Sequence, residues 1–145
     1  MSFGEDLRKL CERTKADMRT VVRTTAIDLQ AGMVDRAPVD TGRLRANFQA
    51  GIGEINRSTG ESPGSDAKMR TAAAMVAWKP GQTIFLTNSL PYAYVAEYGL
   101  YGKPPGSANG PKTIAGYSRQ APAGFVRLTV QDFSERLHAA VQAVK

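Results

Sequence analysis

Asp40, Thr41 and Gly42 spell Asp-Thr-Gly, the triplet that carries the catalytic carboxylate of aspartic proteases. Such an enzyme brings two of these loops together so that two carboxylates share one proton. Here Arg43 and Arg45 follow the triplet directly. Two cations this near would lower the carboxyl pKa, which works against a pair that must hold a proton. We therefore interpret the triplet as part of a turn, and peptidase chemistry is the weaker alternative.

The same residues suit a corner between a helix and a strand. Pro38 ends a helix because its ring removes a backbone donor and disfavours helical geometry at the residue before it. Asp40 and Thr41 offer side-chain oxygens to nearby backbone N–H groups, and Gly42 adopts positive φ without steric cost. The sequence predicts a helix–strand corner at Pro38, Asp40, Thr41 and Gly42.

One cysteine, Cys11, and one histidine, His138, limit any further chemistry. An internal disulfide is impossible, and a zinc site built from Cys and His would need about four ligands. A Ser-His-Asp triad would depend on His138, which falls in a helical repeat near the C-terminus and is interpreted as a partly exposed helix residue. We predict no catalytic residue, no metal and no cofactor.

Composition is typical of a soluble globular chain. The 145 residues predict a single domain, 1–145, and no apolar run approaches the ~20 residues of a membrane span, so no membrane partner is expected. The net charge of +6 comes from 19 Lys and Arg against 13 Asp and Glu. These charges are interleaved, which is typical of solvated helix faces. A basic DNA-binding module remains an alternative of a different class.

The N-terminal segment predicts one long helix over about residues 2–36. Ser2 and Glu5 have the spacing of a capping box. Apolar residues then recur at helical spacing through Phe3, Leu7, Leu10, Met18, Val21, Leu29 and Met33. Such a helix would be roughly 50 Å long, more than a domain of this size needs. A helix that overhangs its own domain usually packs on something else, which is a first indication of self-assembly.

The rest of the chain predicts an α+β fold. A strand with alternating Leu44, Ala46, Phe48, Ala50 and Ile52 is followed by a loop at 56–65, a helix at 66–78, a strand at 83–87 and a helix at 92–98. A second long loop at 100–119 leads to an amphipathic C-terminal helix with Val126, Val130, Phe133, Leu137, Val141 and Val144 on one face. We expect a small antiparallel or mixed sheet packed by the long N-terminal helix and the C-terminal helix.

Two groups of side chains are candidates for a subunit interface. Four tyrosines fall within ten residues: Tyr92, Tyr94, Tyr98 and Tyr101. Tyrosine combines a large contact area with a polar tip, which suits interfaces. Arg43 and Arg45 are expected to point to the exposed face of the first strand, where a neighbouring subunit could meet them. The two long loops are expected to become ordered against neighbours.

Four segments, in order and at plausible spacing, resemble the tail-component family of tailed bacteriophages and prophages. They are APVDTGRLR at 37–45, TIFLTNSLPYAY at 83–94, EYG at 97–99 and QAPAGFVRLTV at 120–130. In similar sequences the EYG segment runs almost directly into the QAP segment. Here about twenty residues intervene, so the resemblance assigns no role to 100–119.

The resemblance implies a structural virion protein rather than an enzyme. It implies a neck or tail-completion subunit that forms a homo-oligomeric ring, typically hexameric, at the head–tail junction, where DNA passes through the lumen without sequence-specific binding. Head-closure and tail-tube or tail-terminator proteins would be its partners, and assembly would take place in the host bacterial cytoplasm. Tail terminator or minor tail protein is the nearest alternative.

Overall fold

The computed structural model describes residues 2–61, 66–102 and 109–145. In chain order the elements are α1 (Phe3–Arg36), α2 (Arg43–Ala46), β1 (Phe48–Ile52), α3 (Ala67–Ala77), β2 (Ile84–Asn88), α4 (Pro91–Tyr98), β3 (Thr113–Ile114), β4 (Tyr117–Ser118), α5 (Val126–Gln131) and α6 (Phe133–Ala143). β1 pairs antiparallel with β2, from Phe48 opposite Asn88 to Ile52 opposite Ile84. The predicted α+β class is confirmed.

Helix α1 is the axis of the fold, and its first turn forms as the sequence predicts. The Ser2 hydroxyl accepts from the Glu5 N–H, and the Glu5 carboxylate accepts from the Ser2 N–H at 2.8 Å. The helix ends at Arg36 because Ala37, which precedes Pro38, is extended. At 34 residues its length is about 50 Å.

Helices α3 and α6 pack only along the C-terminal half of α1, and both run antiparallel to it. On α3, Lys68 forms an ion pair with Asp35, whereas the carbonyls of Val76 and Trp78 accept from Arg23. Both neighbours therefore stop near the middle of α1, and residues 2–20 are exposed apart from one half-buried aspartate. This overhang, α1 residues 3–20, extends about 27 Å beyond its support, in agreement with the predicted overhang.

The core lies where α1, α2, β1, α4 and the start of α5 meet. Phe48 and Phe125 are each 1% exposed, and their rings pack edge to face with centroids 6.2 Å apart. Met33, Leu44 and Leu90 surround them. Such a pair adds about 0.5–1.5 kcal/mol to the contribution of burial alone, so β1 and the last third of the chain are joined through these two rings.

The prediction that the first strand begins at Leu44 is wrong. Residues 43–46 form the short helix α2, entered through Gly42 at φ 88°, so the corner joins a helix to a helical turn before the strand starts at Phe48. Arg45 holds this turn against α1 by donating to the carbonyls of Asp35 and Ala37, which lie at the end of that helix. Leu44 and Ala46 are buried as predicted, but on a helical turn.

The predicted C-terminal helix is present, but it is divided at Asp132 into α5 and α6. The Asp132 carboxylate lies 2.7 Å from Arg36 and 3.5 Å from Arg136. The side chains that face α1 are Thr129, Arg136 and Ala140, whereas Val130 and Phe133 of the predicted buried stripe are about half exposed. Polar contacts with α1 therefore override the apolar periodicity.

The second long loop is not structureless. Within it β3 and β4 form a small antiparallel hairpin, with Thr113 opposite Ser118. The glycine that ends α4, Gly99 at φ 67°, leaves room for the Tyr117 ring to pack against it. The parts of the two predicted loops at 62–65 and 103–108 lie outside the described residues.

Gly32 provides a test of the close packing between α1 and the C-terminal helices. A Cβ at this position would lie 2.8 Å from Thr129 Cγ2, in a site where Thr129 is fully buried. Gly32→Ala should therefore lower the free energy of unfolding by about 1–3 kcal/mol, although alanine favours helices. Urea unfolding of the variant and the wild type measures this change in the free energy of unfolding.

Gly4→Ala is the matched control in the same helix, because a Cβ there meets only Ser2 Oγ at 4.0 Å. We expect no loss of stability for this variant. Equal stability of the two variants would contradict the packing argument.

Candidate functional site

A well-formed concave surface among the described residues lies at the predicted corner. Its walls are residues 38–44, Tyr92 on α4, Tyr101 just after α4, and residues 111–113 and 118–120 on either side of the small hairpin. The cavity volume is about 460 Å³. We call this the corner pocket. It joins the corner to two of the predicted interface tyrosines, which are about fifty residues away in the sequence.

Polar contacts already occupy the charged and amide groups of the corner pocket. The Gln120 side chain bonds the Val39 backbone twice, accepting from its N–H at 2.9 Å and donating to its carbonyl at 2.6 Å. Lys112 and Asp40 form an ion pair at 3.0 Å. These bonds hold the corner against the hairpin, and most of the surface that lines the cavity is apolar.

Tyr101 is the titratable wall residue with a shifted pKa. Burial raises the pKa of its phenol, and its electrostatic interactions with Tyr92 and Asp40 act in the same direction. Tyr101 is therefore neutral at physiological pH and keeps its hydroxyl proton. The wall offers a hydrogen-bond donor there rather than a charge.

Asp40 has none of the surroundings of a protease carboxylate. Its side chain is 80% exposed and pairs with a lysine rather than a second carboxylate. Thr41 Oγ1 accepts from the Arg43 N–H at 3.2 Å, which is turn chemistry. The geometry supports the interpretation of this triplet as a turn.

The structure divides the predicted interface residues between different surfaces. The corner pocket contains three of the six predicted interface residues, Arg43, Tyr92 and Tyr101, together with the predicted corner residues Pro38, Asp40, Thr41 and Gly42. Arg43 also bonds the Gly60 carbonyl and Glu61 at the pocket edge. Arg45 is instead used inside the chain, on the carbonyls at the end of α1. Their roles as interface residues stay predictions.

Tyr94 and Tyr98 form a second surface on α4. Their rings are in contact with centroids 4.6 Å apart and planes inclined at 43°, and the two residues are 64% and 44% exposed. The Arg127 guanidinium lies over the Tyr98 ring at 4.5 Å from its centroid. Tyrosine and arginine are the residue types that most often dominate binding energy at interfaces. We call these three residues the aromatic patch.

The buried carboxylate of Glu97 holds Arg127 of the aromatic patch in place. It accepts from the backbone N–H groups of Phe125, Val126 and Arg127 at 2.8–3.0 Å, and from Arg127 Nε at 2.9 Å. Burial alone would raise the Glu97 pKa, but these bonds together outweigh it and lower the pKa below its usual value. The carboxylate therefore stays ionised and caps the N-terminus of α5.

Sequence reasoning missed Glu97, Gln120 and Arg127. All three lie in the segments that carry the family resemblance, EYG and QAPAGFVR, which is the only signal that pointed to them. Their spacing along the chain gives no hint, because Glu97 and Arg127 are 30 residues apart. Gly124 belongs to the same unit, since a Cβ there would lie 2.9 Å from Glu97 Oε1.

Two further classes of site are absent from the part of the chain that the structure describes. In residues 2–61, 66–102 and 109–145, no group of three or more His, Cys, Asp or Glu side chains is arranged to hold a metal ion. In the same ranges, no helix is both long and apolar enough to cross a membrane.

Glu97 gives a pH-dependent prediction. Because its pKa is lowered in the folded state, its stabilisation is fully present above the unfolded pKa of about 4.3 and is lost as pH falls through the folded value. Glu97→Gln should lower the free energy of unfolding by about 3 kcal/mol at pH 7. The difference from the wild type should shrink towards pH 3. Urea unfolding at both pH values tests this.

Glu54→Gln is the control, since Glu54 is exposed and carries no comparable network. It should change stability little at either pH. A Glu97→Gln chain whose deficit is the same at pH 3 and pH 7 would contradict the assigned role of the carboxylate.

Comparison with known proteins identifies a matching family. No curated protein and no solved structure matches the chain. A family model described as "HK97-gp10_like: Bacteriophage HK97-gp10, putative tail-component" matches residues 2–99. The match includes α1, the corner, both strands of the main sheet and α4. Because it covers well over half of the sequence, the chain belongs to the HK97-gp10-like family of bacteriophage tail components.

Proposed function

We propose that this protein is a non-enzymatic subunit of the head–tail junction, a tail-completion or neck protein that assembles into a ring through which DNA passes. The family makes it a structural tail component, located in the virion and in contact with other virion proteins. The observation that carries the finer proposal is the overhang of α1, which is about 27 Å long. Its apolar side chains are exposed in the part of the chain that the structure describes. A subunit built to be surrounded by others has such a surface.

The hydrogen bonds of the arginines favour a protein through which DNA passes over a protein that binds DNA specifically. Several guanidinium groups donate to carbonyls or carboxylates of their own chain: Arg23, Arg45, Arg70, Arg127 and Arg136. These cations contribute to the net charge of +6 but stabilise helix ends and strand edges. The described surface thus has fewer free cations than composition suggests.

Inactivation of the gene in its phage, followed by electron microscopy of the lysate, tests the proposed position. A head–tail junction role predicts DNA-filled heads and tails of normal length that do not join. A tail terminator would give tails of abnormal length, and a minor tail protein would give tails that lack a tip or do not form. Either of those outcomes would overturn the proposal, and wild-type protein supplied in trans should restore infectious particles.

A DNA-binding module predicts different behaviour from the isolated protein. Binding through 6–10 phosphates would weaken by about 10³–10⁵ between 50 and 200 mM salt, because counterions are released. We expect no tight binding of a short duplex at either salt concentration, as measured by fluorescence anisotropy. Tight binding with a steep salt dependence would favour the alternative function.

A further inference from the structure

The apolar face of the overhang is the largest feature that the fold leaves unexplained. Phe3, Leu7 and Leu10 recur at spacings of four and three, so they share one side of the helix. They are 82%, 49% and 61% exposed. An exposed apolar face of this kind is stabilised when a partner covers it and removes it from water.

The corner pocket has the chemical character that would suit these side chains. Among the described residues, the buried polar side-chain atoms without a hydrogen bond are Arg23 Nε, Gln30 Oε1, Arg70 Nε and Arg136 Nε, and none of these residues lines the pocket. Its charged and amide groups are paired, as in the Gln120 bonds to Val39 and the Lys112–Asp40 ion pair, which leaves the Tyr101 hydroxyl as a donor on a mainly apolar surface. Apolar side chains would displace water from these walls.

Size also matches. A cavity of 460 Å³ is about 10 Å across, close to the diameter of an α-helix with its side chains, about 10–12 Å. The start of α1 carries both signs of charge, with Glu5 and Asp6 followed by Arg8 and Lys9. Size and apolar character, rather than net charge, therefore select the occupant.

The geometry of α1 rules out an intramolecular contact. Phe3 lies at one end of the helix and Pro38 of the pocket lies just beyond the other, so about 50 Å of continuous helix separates them. A chain cannot place the start of this helix in its own pocket. Any α1 end that enters the pocket comes from another copy.

We propose that the N-terminal end of α1 in one subunit, led by Phe3 and Leu7, inserts into the corner pocket of the next subunit. The proposal rests on the ring-forming function proposed above. It uses two different surfaces of each chain, so the contact is head-to-tail. Contacts of this kind generate a closed ring when the rotation between subunits closes.

Complementation between two defective variants tests this inference. Phe3→Asp combined with Leu7→Asp removes the helix end, and both side chains are exposed, so the fold should be unaffected. Thr41→Trp blocks the pocket from an exposed lining position. We expect the wild type to form oligomers, each variant alone to be monomeric by light scattering, and a 1:1 mixture to stop at a heterodimer. Only one helix end and one pocket still function in that mixture.

The control is Met69→Asp, which introduces the same charge at another exposed apolar side chain, 73% exposed on α3. It should assemble like the wild type. Several outcomes would overturn the inference: a wild type that is monomeric in concentrated solution, a helix-end variant that still assembles, or a 1:1 mixture that stays monomeric. A pocket variant that assembles while the helix-end variant does not would instead indicate contact between two helix ends.

The gene-inactivation experiment separates this inference from the proposed function. If heads and tails fail to join in the absence of the protein but the helix-end variant restores joining, the function stands and the α1 contact is rejected. If assembly depends on the helix end but particles without the protein have tails of abnormal length, the contact stands and the junction role is rejected.

Discussion

The carboxylate of Glu97 is the constraint on which the second half of the structure depends. Helix α5 has no side chain of its own at its N-terminus to accept from the first N–H groups. Glu97, on α4, accepts from three of them and from the side chain of Arg127. The start of α5 is thereby fixed to the end of α4, and Phe125 is held in the core against Phe48. One buried charge thus organises two helices and the central aromatic contact.

The same bonds connect stability to a surface. Arg127 donates to Glu97 while its guanidinium lies over the Tyr98 ring, so the aromatic patch is ordered before any partner arrives. Ordered side chains lose little entropy on binding. Gly99, one residue after Tyr98, lets the Tyr117 ring approach and so ties the small hairpin to the end of α4. The hairpin in turn closes one side of the corner pocket.

The two halves of helix α1 differ in their surroundings. Its C-terminal half is held on both sides, through contacts such as Arg136 to the Asp28 carbonyl and Gln30 to the Gln49 carbonyl. Its N-terminal half is exposed and carries an apolar face. The supported half fixes the direction in which the free half projects, because a helix transmits orientation along its length. A subunit of this shape is suited to long-range contacts with its neighbours.

The sequence by itself determined the elements whose signals are local. The Ser2–Glu5 capping box, the stop at Pro38 and the C-cap at Gly99 follow from the chemistry of neighbouring residues, and all three are present. Tertiary structure decided the rest. Leu44 lies in a helical turn rather than in a strand, and Arg45 holds that turn against the end of α1. The C-terminal helix breaks at Asp132, whose carboxylate binds Arg36, almost a hundred residues earlier in the sequence. The roles of Glu97 and Gln120 and the corner pocket could not be predicted for the same reason, because the residues involved come together only in the folded chain. Hydrophobic periodicity indicates which side chains are buried, but not which polar group lies opposite them.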